Sequence, residues 1–120
     1  MKRLVDLIPT GTRILDVCTG TGDLALAYHR ASGGEGEIIA ADFTHEMLIL
    51  GRKKGERAGA RTARLTFVEA DAMALPLPSD QFDIVCVAFG LRNVADTDAG
   101  LAEMTRVCAP GGRVAVLEFS

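Results

Sequence analysis

Five stretches of the chain are near-continuous apolar runs with β-branched residues: RILDVC (13–18), EIIAAD (37–42), LTFVEA (65–70), FDIVCVAF (82–89) and RVAVLEFS (113–120). Runs of this kind suit strands covered on both faces, as in a parallel sheet. Segments with helical periodicity lie between them. KRLVDLI (2–8) ends at Pro9 and Gly11, and a second segment begins at Asp23 and stops at the Gly33–Gly34 pair. A third follows Thr44, a candidate N-cap, and places Met47, Leu48 and later Ala58 on one face, with Gly51 and Gly55 weakening it. A fourth starts near Asp96 or Thr97, carries Leu101, Met104, Val107 and Cys108 at helical spacing, and ends at PGG. Strand alternating with helix predicts an α/β fold, a doubly wound parallel sheet of about five strands with helices on both faces. Pro76 and Pro78 forbid a regular helix in DAMALPLPSDQ (71–81), so one crossover is expected to be mostly loop.

The bulk properties narrow the field. At 120 residues the chain reads as one domain, 1–120, burying roughly 65% of the surface its unfolded form exposes. The net charge of -3 and pI near 5.3 oppose a nucleic-acid footprint, which needs Lys and Arg gathered on one face. The basic cluster GRKKGER (51–57) reads as the solvated side of its helix. No run approaches the ~18 apolar residues of a membrane span, and MKRLVDLIP is too short and polar for a signal peptide, so the expectation is a cytoplasmic protein. Cys18, Cys86 and Cys108 sit among apolar neighbours without metal-ligand spacing and are read as reduced core residues, with no metal site. His29 and His45 are each read as surface helix residues.

Acids and turns of interest fall just after strands, at the edge where open α/β sheets bind ligands. In ILDVCTGTGDLALAYHR (14–30), the three glycine positions of a dinucleotide fingerprint are held by Cys18, Gly20 and Asp23. A carboxylate at the helix start repels a pyrophosphate. Asp16, at the end of the first strand, suits a cationic group such as the ammonium of an amino acid. Asp42 follows the second strand, twenty residues beyond Gly22, where an acid accepts both ribose hydroxyls. Asp71 follows the third strand and accepts from an exocyclic amine such as adenine N6, with the Ala72–Met73 backbone beside it. A ligand with an amino acid at one end and a nucleoside at the other fits this row: S-adenosylmethionine, or its product S-adenosylhomocysteine. Each acid also has a local alternative: Asp16 and Asp23 capping turn groups, Asp42 capping the third helix, Asp71 starting a turn.

LDVCTGTGDLAL, ADFTHEML, FVEADAMALPLPSDQFDIV, FGLRNV and RVCAPGGRVAVLEFS together resemble the C-methyltransferases of ubiquinone and menaquinone biosynthesis, the UbiE type, over about residues 12 to 120. FGLRNV and the closing R-V-x-x-P-G-G-x-x-x-x-L-E-F-S are the more family-specific parts. The resemblance implies a Rossmann-like class I methyltransferase core and methyl transfer from S-adenosylmethionine to a ring carbon of a prenylated quinol, demethylmenaquinol or the corresponding benzoquinol. The expected cofactor contacts are Asp16, Cys18, Thr19, Gly20 and Gly22 at the first turn, with Asp42, Phe43 and Met47 after the second strand. Asp71, Ala72 and Met73 follow the third strand, and Ala88 ends the fourth.

Arg92 and Asn93 match the family's substrate-side pair. A guanidinium does not lose its proton near neutral pH, so Arg92 is assigned to stabilising phenolate charge or polarising a water, and Asn93 to orienting the substrate. An alternative has the pair only fixing a loop. Glu118 is either a proton acceptor or structural.

Family members carry an N-terminal segment that covers the cofactor and two further strands after LEFS. The chain therefore reads as truncated at both ends, and Cys108 and Ala109 replace the family's Leu and Lys. Without the last strands the fifth becomes an exposed edge, which predicts homodimerisation through it or poor behaviour of the isolated chain. The lipid-soluble substrate implies peripheral membrane contact, although no amphipathic anchor is evident. The competing reading is a catalytically incomplete cofactor-binding module, and another has a different small lipid-like acceptor.

Overall fold

The computed structural model describes residues 12–31, 36–59, 64–88 and 94–117. In chain order the elements are β1 (Arg13–Val17), α1 (Asp23–Ala31), β2 (Glu37–Asp42), α2 (His45–Arg57), β3 (Leu65–Glu69), β4 (Phe82–Ala88), α3 (Thr97–Val107) and β5 (Cys108–Leu117). The strands form one sheet in the order β3-β2-β1-β4-β5, and every pair is parallel. From the central strand β1 the described chain winds outward through α1 and α2 to β3, then returns to β4 on the other side of β1. That reversal opens a crevice at the carboxyl ends of the strands. This is the expected α/β doubly wound architecture.

Alternation along the central strand divides the core in two. Ile14 packs on one face with Leu26 and Tyr28 of α1, Leu48 of α2 and Phe67 of β3. Leu15 and Val17 pack on the other with Val85 and Val87 of β4 and Met104 and Val107 of α3. Both faces of β1 are thus covered, which is why its sequence lacks a polar side. Asp96 caps α3, its side chain accepting from the Ala99 N–H at 3.1 Å. Thr44 occupies the N-cap position of α2, but its side chain makes no capping hydrogen bond.

The crossover from β3 to β4 contains no helix, as the prolines required. Its backbone groups find partners on α3. Leu75 N–H donates to Glu103 Oε1 at 2.8 Å, and the Arg106 guanidinium donates to the Leu75 carbonyl at 3.0 Å and to Ser79 Oγ at 3.1 Å. Asp80 N–H and Gln81 N–H donate to the carbonyls of Arg106 and Val107. The loop is tied to a helix rather than being one.

Three expectations are corrected. The inward face of α2 consists of Leu48, Gly51 and Gly55, whereas Met47 and Ala58 are exposed; at Gly51 the helix comes so close that an added Cβ would stand 2.6 Å from the Phe67 ring. His29 is buried on α1 instead of lying at the surface. Cys108 ends α3 and begins β5, where the register moves from Phe82 opposite Cys108 to Ile84 opposite Arg113. The expected helix at 2–8 lies outside the described residues.

Candidate functional site

The turn after β1 is built on left-handed backbone, with φ of 57° at Cys18, 61° at Gly20 and 82° at Gly22. Glycine accepts this conformation without steric cost, whereas Cys18 holds it at a cost of about 1–2 kcal/mol. Three bonds secure the turn to its neighbours. Thr19 N–H donates to the Ala41 carbonyl at 2.9 Å, Gly20 N–H donates to Asp42 Oδ2 at 2.8 Å, and the Thr19 hydroxyl donates to Asp16 Oδ2 at 2.7 Å.

A cavity of about 560 Å³ opens at this edge of the sheet, a volume suited to a small organic ligand. Val17, Cys18 and Gly20 line it from β1 and its turn, and Ala41, Asp42, Phe43, Thr44 and Met47 from β2 and the start of α2. Ala70, Asp71, Ala72, Met73 and Leu75 close it from the segment after β3, with Val94 and Ala95 from the approach to α3. Eight of the expected contacts therefore converge: Cys18, Gly20, Asp42, Phe43, Met47, Asp71, Ala72 and Met73. Asp16, Thr19, Gly22 and Ala88 are not among the lining residues. Arg92, Asn93 and Glu118 lie outside the described residues. Sequence reasoning did not assign Val17, Ala41, Thr44, Ala70, Leu75, Val94 or Ala95 to the site, nearly all of them apolar residues at element ends with no chemical signature of their own.

The three acids differ in environment. Asp42 is engaged by backbone on both oxygens, accepting from Gly20 N–H and from Thr44 N–H, each at 2.8 Å. A carboxylate offers about four acceptor positions, so two remain for hydroxyls of a ligand. Asp71 uses one oxygen to accept from Met73 N–H at 2.9 Å. The local turn and the cavity wall are thus the same residue. Asp16 is buried, only 2% exposed, beneath the turn. Burial pushes its carboxyl up to about 6, opposed by the Thr19 and Cys86 hydrogen bonds, with the Asp42 charge adding to the rise. The thiol of Cys86 lies 3.6 Å from Asp16 Oδ1. Burial also pushes the Cys86 thiol and the Tyr28 phenol well above their ordinary ranges, so both stay neutral.

Asp23 does not stand alone at the start of α1. Lys54 of α2 pairs with it and donates to Thr21 Oγ1 at 2.7 Å. The basic cluster is therefore only partly a solvated face: Arg52 donates to the Phe67 carbonyl at 3.1 Å, while Lys53 and Arg57 are exposed. Among the described residues no group of three or more His, Cys, Asp or Glu is placed to hold a metal ion, and no helix is long and apolar enough to cross a membrane.

The donor set suits a nucleoside bearing an amino acid. Asp42 and Asp71 supply acceptors, the turn supplies close backbone, and Phe43, 74% exposed, with Met47, Ala72 and Leu75 supplies apolar surface for a flat base.

Comparison with known proteins agrees with this chemistry. A family described as the ubiE/COQ5 methyltransferase family matches residues 2–120. The ubiquinone/menaquinone biosynthesis C-methyltransferase UbiE of Edwardsiella ictaluri is 50% identical over 110 residues, covering 92% of this chain and 43% of that protein. The demethylmenaquinone methyltransferase of Thermus thermophilus is 50% identical over 120 residues, covering 98% and 53%. The chain thus spans about half the length of the curated relatives it matches. Among solved structures, the YcgJ protein of Bacillus subtilis superposes with a TM-score of 0.84 at 27% identity, covering 92% of this chain and 45% of that one. The cyclase SpnF superposes with 0.85 at 30% identity, covering 95% and 43%.

Proposed function

The chain belongs to the ubiE/COQ5 methyltransferase family, and on that premise we propose that it binds S-adenosylmethionine in the cavity at the carboxyl edge of the sheet and methylates a ring carbon of a prenylated quinol. The acceptor is demethylmenaquinol or the benzoquinol of the ubiquinone pathway, in keeping with the names of the Thermus and Edwardsiella relatives. The observation that carries the cofactor assignment is Asp42: both its oxygens are fixed by backbone N–H groups at the cavity wall, between the glycine turn and the start of α2. A carboxylate so fixed is pre-organised to accept a ribose diol.

The remaining roles follow the row of strands. The turn and Asp16 are assigned to the amino-acid end, where a cationic group would offset the cost of ionising the buried carboxyl. Asp42 serves the ribose. Phe43 and Met47 pack on the nucleoside, and Asp71 with Ala72 and Met73 serves the base. The cofactor's sulfonium supplies an electrophilic methyl group. The chain's own residues must align the acceptor carbon, exclude water and favour the phenolate. Arg92 is assigned to stabilise the developing phenolate and Asn93 to orient the ring. The ring carbon gives up its proton as the new bond forms, and Glu118 is the candidate acceptor.

A second reading is a module that holds the cofactor without turnover, since the residues that converge on the cavity are those assigned to the cofactor. SpnF adds that this fold also occurs in a protein named as a cyclase. A methyl-transfer assay with a demethylated quinol separates the two readings. Peripheral membrane contact would follow from a lipid-soluble acceptor. Pairing of the β5 edge with a second copy is supported by the exposure of Val114 and Val116 on that strand.

Calorimetric titration with S-adenosylhomocysteine tests the assignment. Micromolar binding is expected for the wild type, with loss in Asp42→Ala and partial retention in Asp42→Asn, which keeps one acceptor oxygen. A folded chain that binds nothing, or an Asp42→Ala variant that binds as well as the wild type, overturns it.

A further inference from the structure

Lys54 is not among the cavity-lining residues, yet its side chain crosses from α2 to the glycine turn. Its ammonium donates to Thr21 Oγ1 at 2.7 Å and pairs with Asp23, the first residue of α1. The approach depends on Gly51, one helical turn earlier. A Cβ there would stand 2.6 Å from Phe67 Cε1 and 3.0 Å from the Thr21 carbonyl oxygen. The Phe67 ring also fills the space beside Gly22, where an added Cβ would lie 2.7 Å from the same carbon. The turn is therefore gripped from two sides, by Ala41 and Asp42 of β2 and by Lys54 of α2.

The grip has an electrostatic side. The N-terminus of α1 presents backbone N–H groups and the positive end of the helix dipole, which attract an anion. Asp23 opposes that attraction, and Lys54 offsets Asp23. An exposed ion pair adds little to stability: the Lys54 and Asp23 side chains are 38% and 81% exposed. Its effect falls on the local potential and on the position of Thr21.

We propose that Lys54 is a positioning residue for the amino-acid end of the cofactor, holding Thr21 and cancelling the Asp23 charge so that the turn accepts a ligand carboxylate. This rests on the cofactor assignment above, and it adds a residue from α2 that does not line the cavity.

The test compares two ligands on the 120-residue chain by calorimetry. S-adenosylhomocysteine carries the amino acid, whereas 5′-methylthioadenosine has the same base, ribose and thioether without it. Lys54→Met is expected to weaken S-adenosylhomocysteine about tenfold and methylthioadenosine less than about twofold. The melting temperature without ligand should stay close to the wild-type value. Lys54→Arg, which keeps the charge, should retain most of the affinity, and adding Asp23→Asn to Lys54→Met should recover part of it. Equal weakening of both ligands, or unchanged S-adenosylhomocysteine binding, overturns the role of Lys54 alone. A wild type that binds neither ligand overturns the cofactor assignment and this role with it.

Discussion

Asp80 and Cys18 are the two described residues other than glycine with left-handed backbone, at φ of 58° and 57°. Cys18 bears its strain at the cavity wall, in the first glycine position of a dinucleotide fingerprint, where the side chain also packs against the core. Asp80 bears its strain in an exposed turn ahead of β4, where only its N–H is anchored, to the Arg106 carbonyl at 2.9 Å. Relief at Asp80 should therefore show without a packing penalty. Asp80→Gly is expected to match the wild type or exceed it by about 0.5 kcal/mol, and Asp80→Ala to fall about 1 kcal/mol below the glycine variant, because alanine keeps the Cβ crowding that glycine lacks. Urea unfolding of the three proteins checks this, and an alanine variant as stable as the glycine variant would contradict it. The acids Asp42 and Asp71 were legible as cavity-wall residues because a carboxylate after a strand has few apolar uses. His29 was not, since a lone histidine on an amphipathic helix gives no sign of which face it takes.

Helix α2 shows how a local weakness can be a tertiary requirement. On propensity, Gly51→Ala should strengthen an exposed helix by about 1 kcal/mol. Here the added methyl meets the buried Phe67 ring, which is itself set against Gly22 and has nowhere to retreat. Overpacking of this kind costs roughly 1–3 kcal/mol, so thermal unfolding should show Gly51→Ala destabilised despite its better helix propensity. A gain in melting temperature would mean the helix can move outward freely. Sequence reasoning found this helix but placed Met47 and Ala58 on its inner face, because periodicity scores large side chains and not the absence of one. The proline-rich crossover gives a second expectation at this scale. Glu103→Ala leaves the Leu75 N–H without its acceptor and the Arg106 guanidinium without its carboxylate, which should cost about 1–2 kcal/mol. Glu103→Gln should cost less, since one acceptor remains.

At the scale of the whole molecule, the parallel sheet and the edge that carries the cavity were legible because each of the five strands left an apolar run, and the acids mark where those runs stop. The interaction of the two core faces with the polar residue between them was not, because it depends on which neighbours β1 acquires. Asp16 lies opposite Ala40 on β2 and Cys86 on β4, and none of these supplies a cation. Its carboxyl is raised from 3.8 to about 6, first by burial. Below pH 4 the group is protonated in folded and unfolded chains alike and costs nothing. Between pH 3.8 and about 6 the unfolded chain ionises this group while the folded chain holds its proton, so stability worth about 3 kcal/mol is lost by the time the buried carboxyl ionises. Asp16→Asn removes this titration while keeping an acceptor for the Thr19 hydroxyl. The variant should therefore gain on the wild type between pH 4 and pH 7.5, with every other titrating group cancelling in the difference. Melting curves of both proteins at the two pH values measure it, and a difference that does not change with pH would show that Asp16 is better solvated than its burial indicates. Saturating S-adenosylhomocysteine should shrink the gap at pH 7.5, because the ligand's ammonium would then balance the charge that the empty chain bears at a cost.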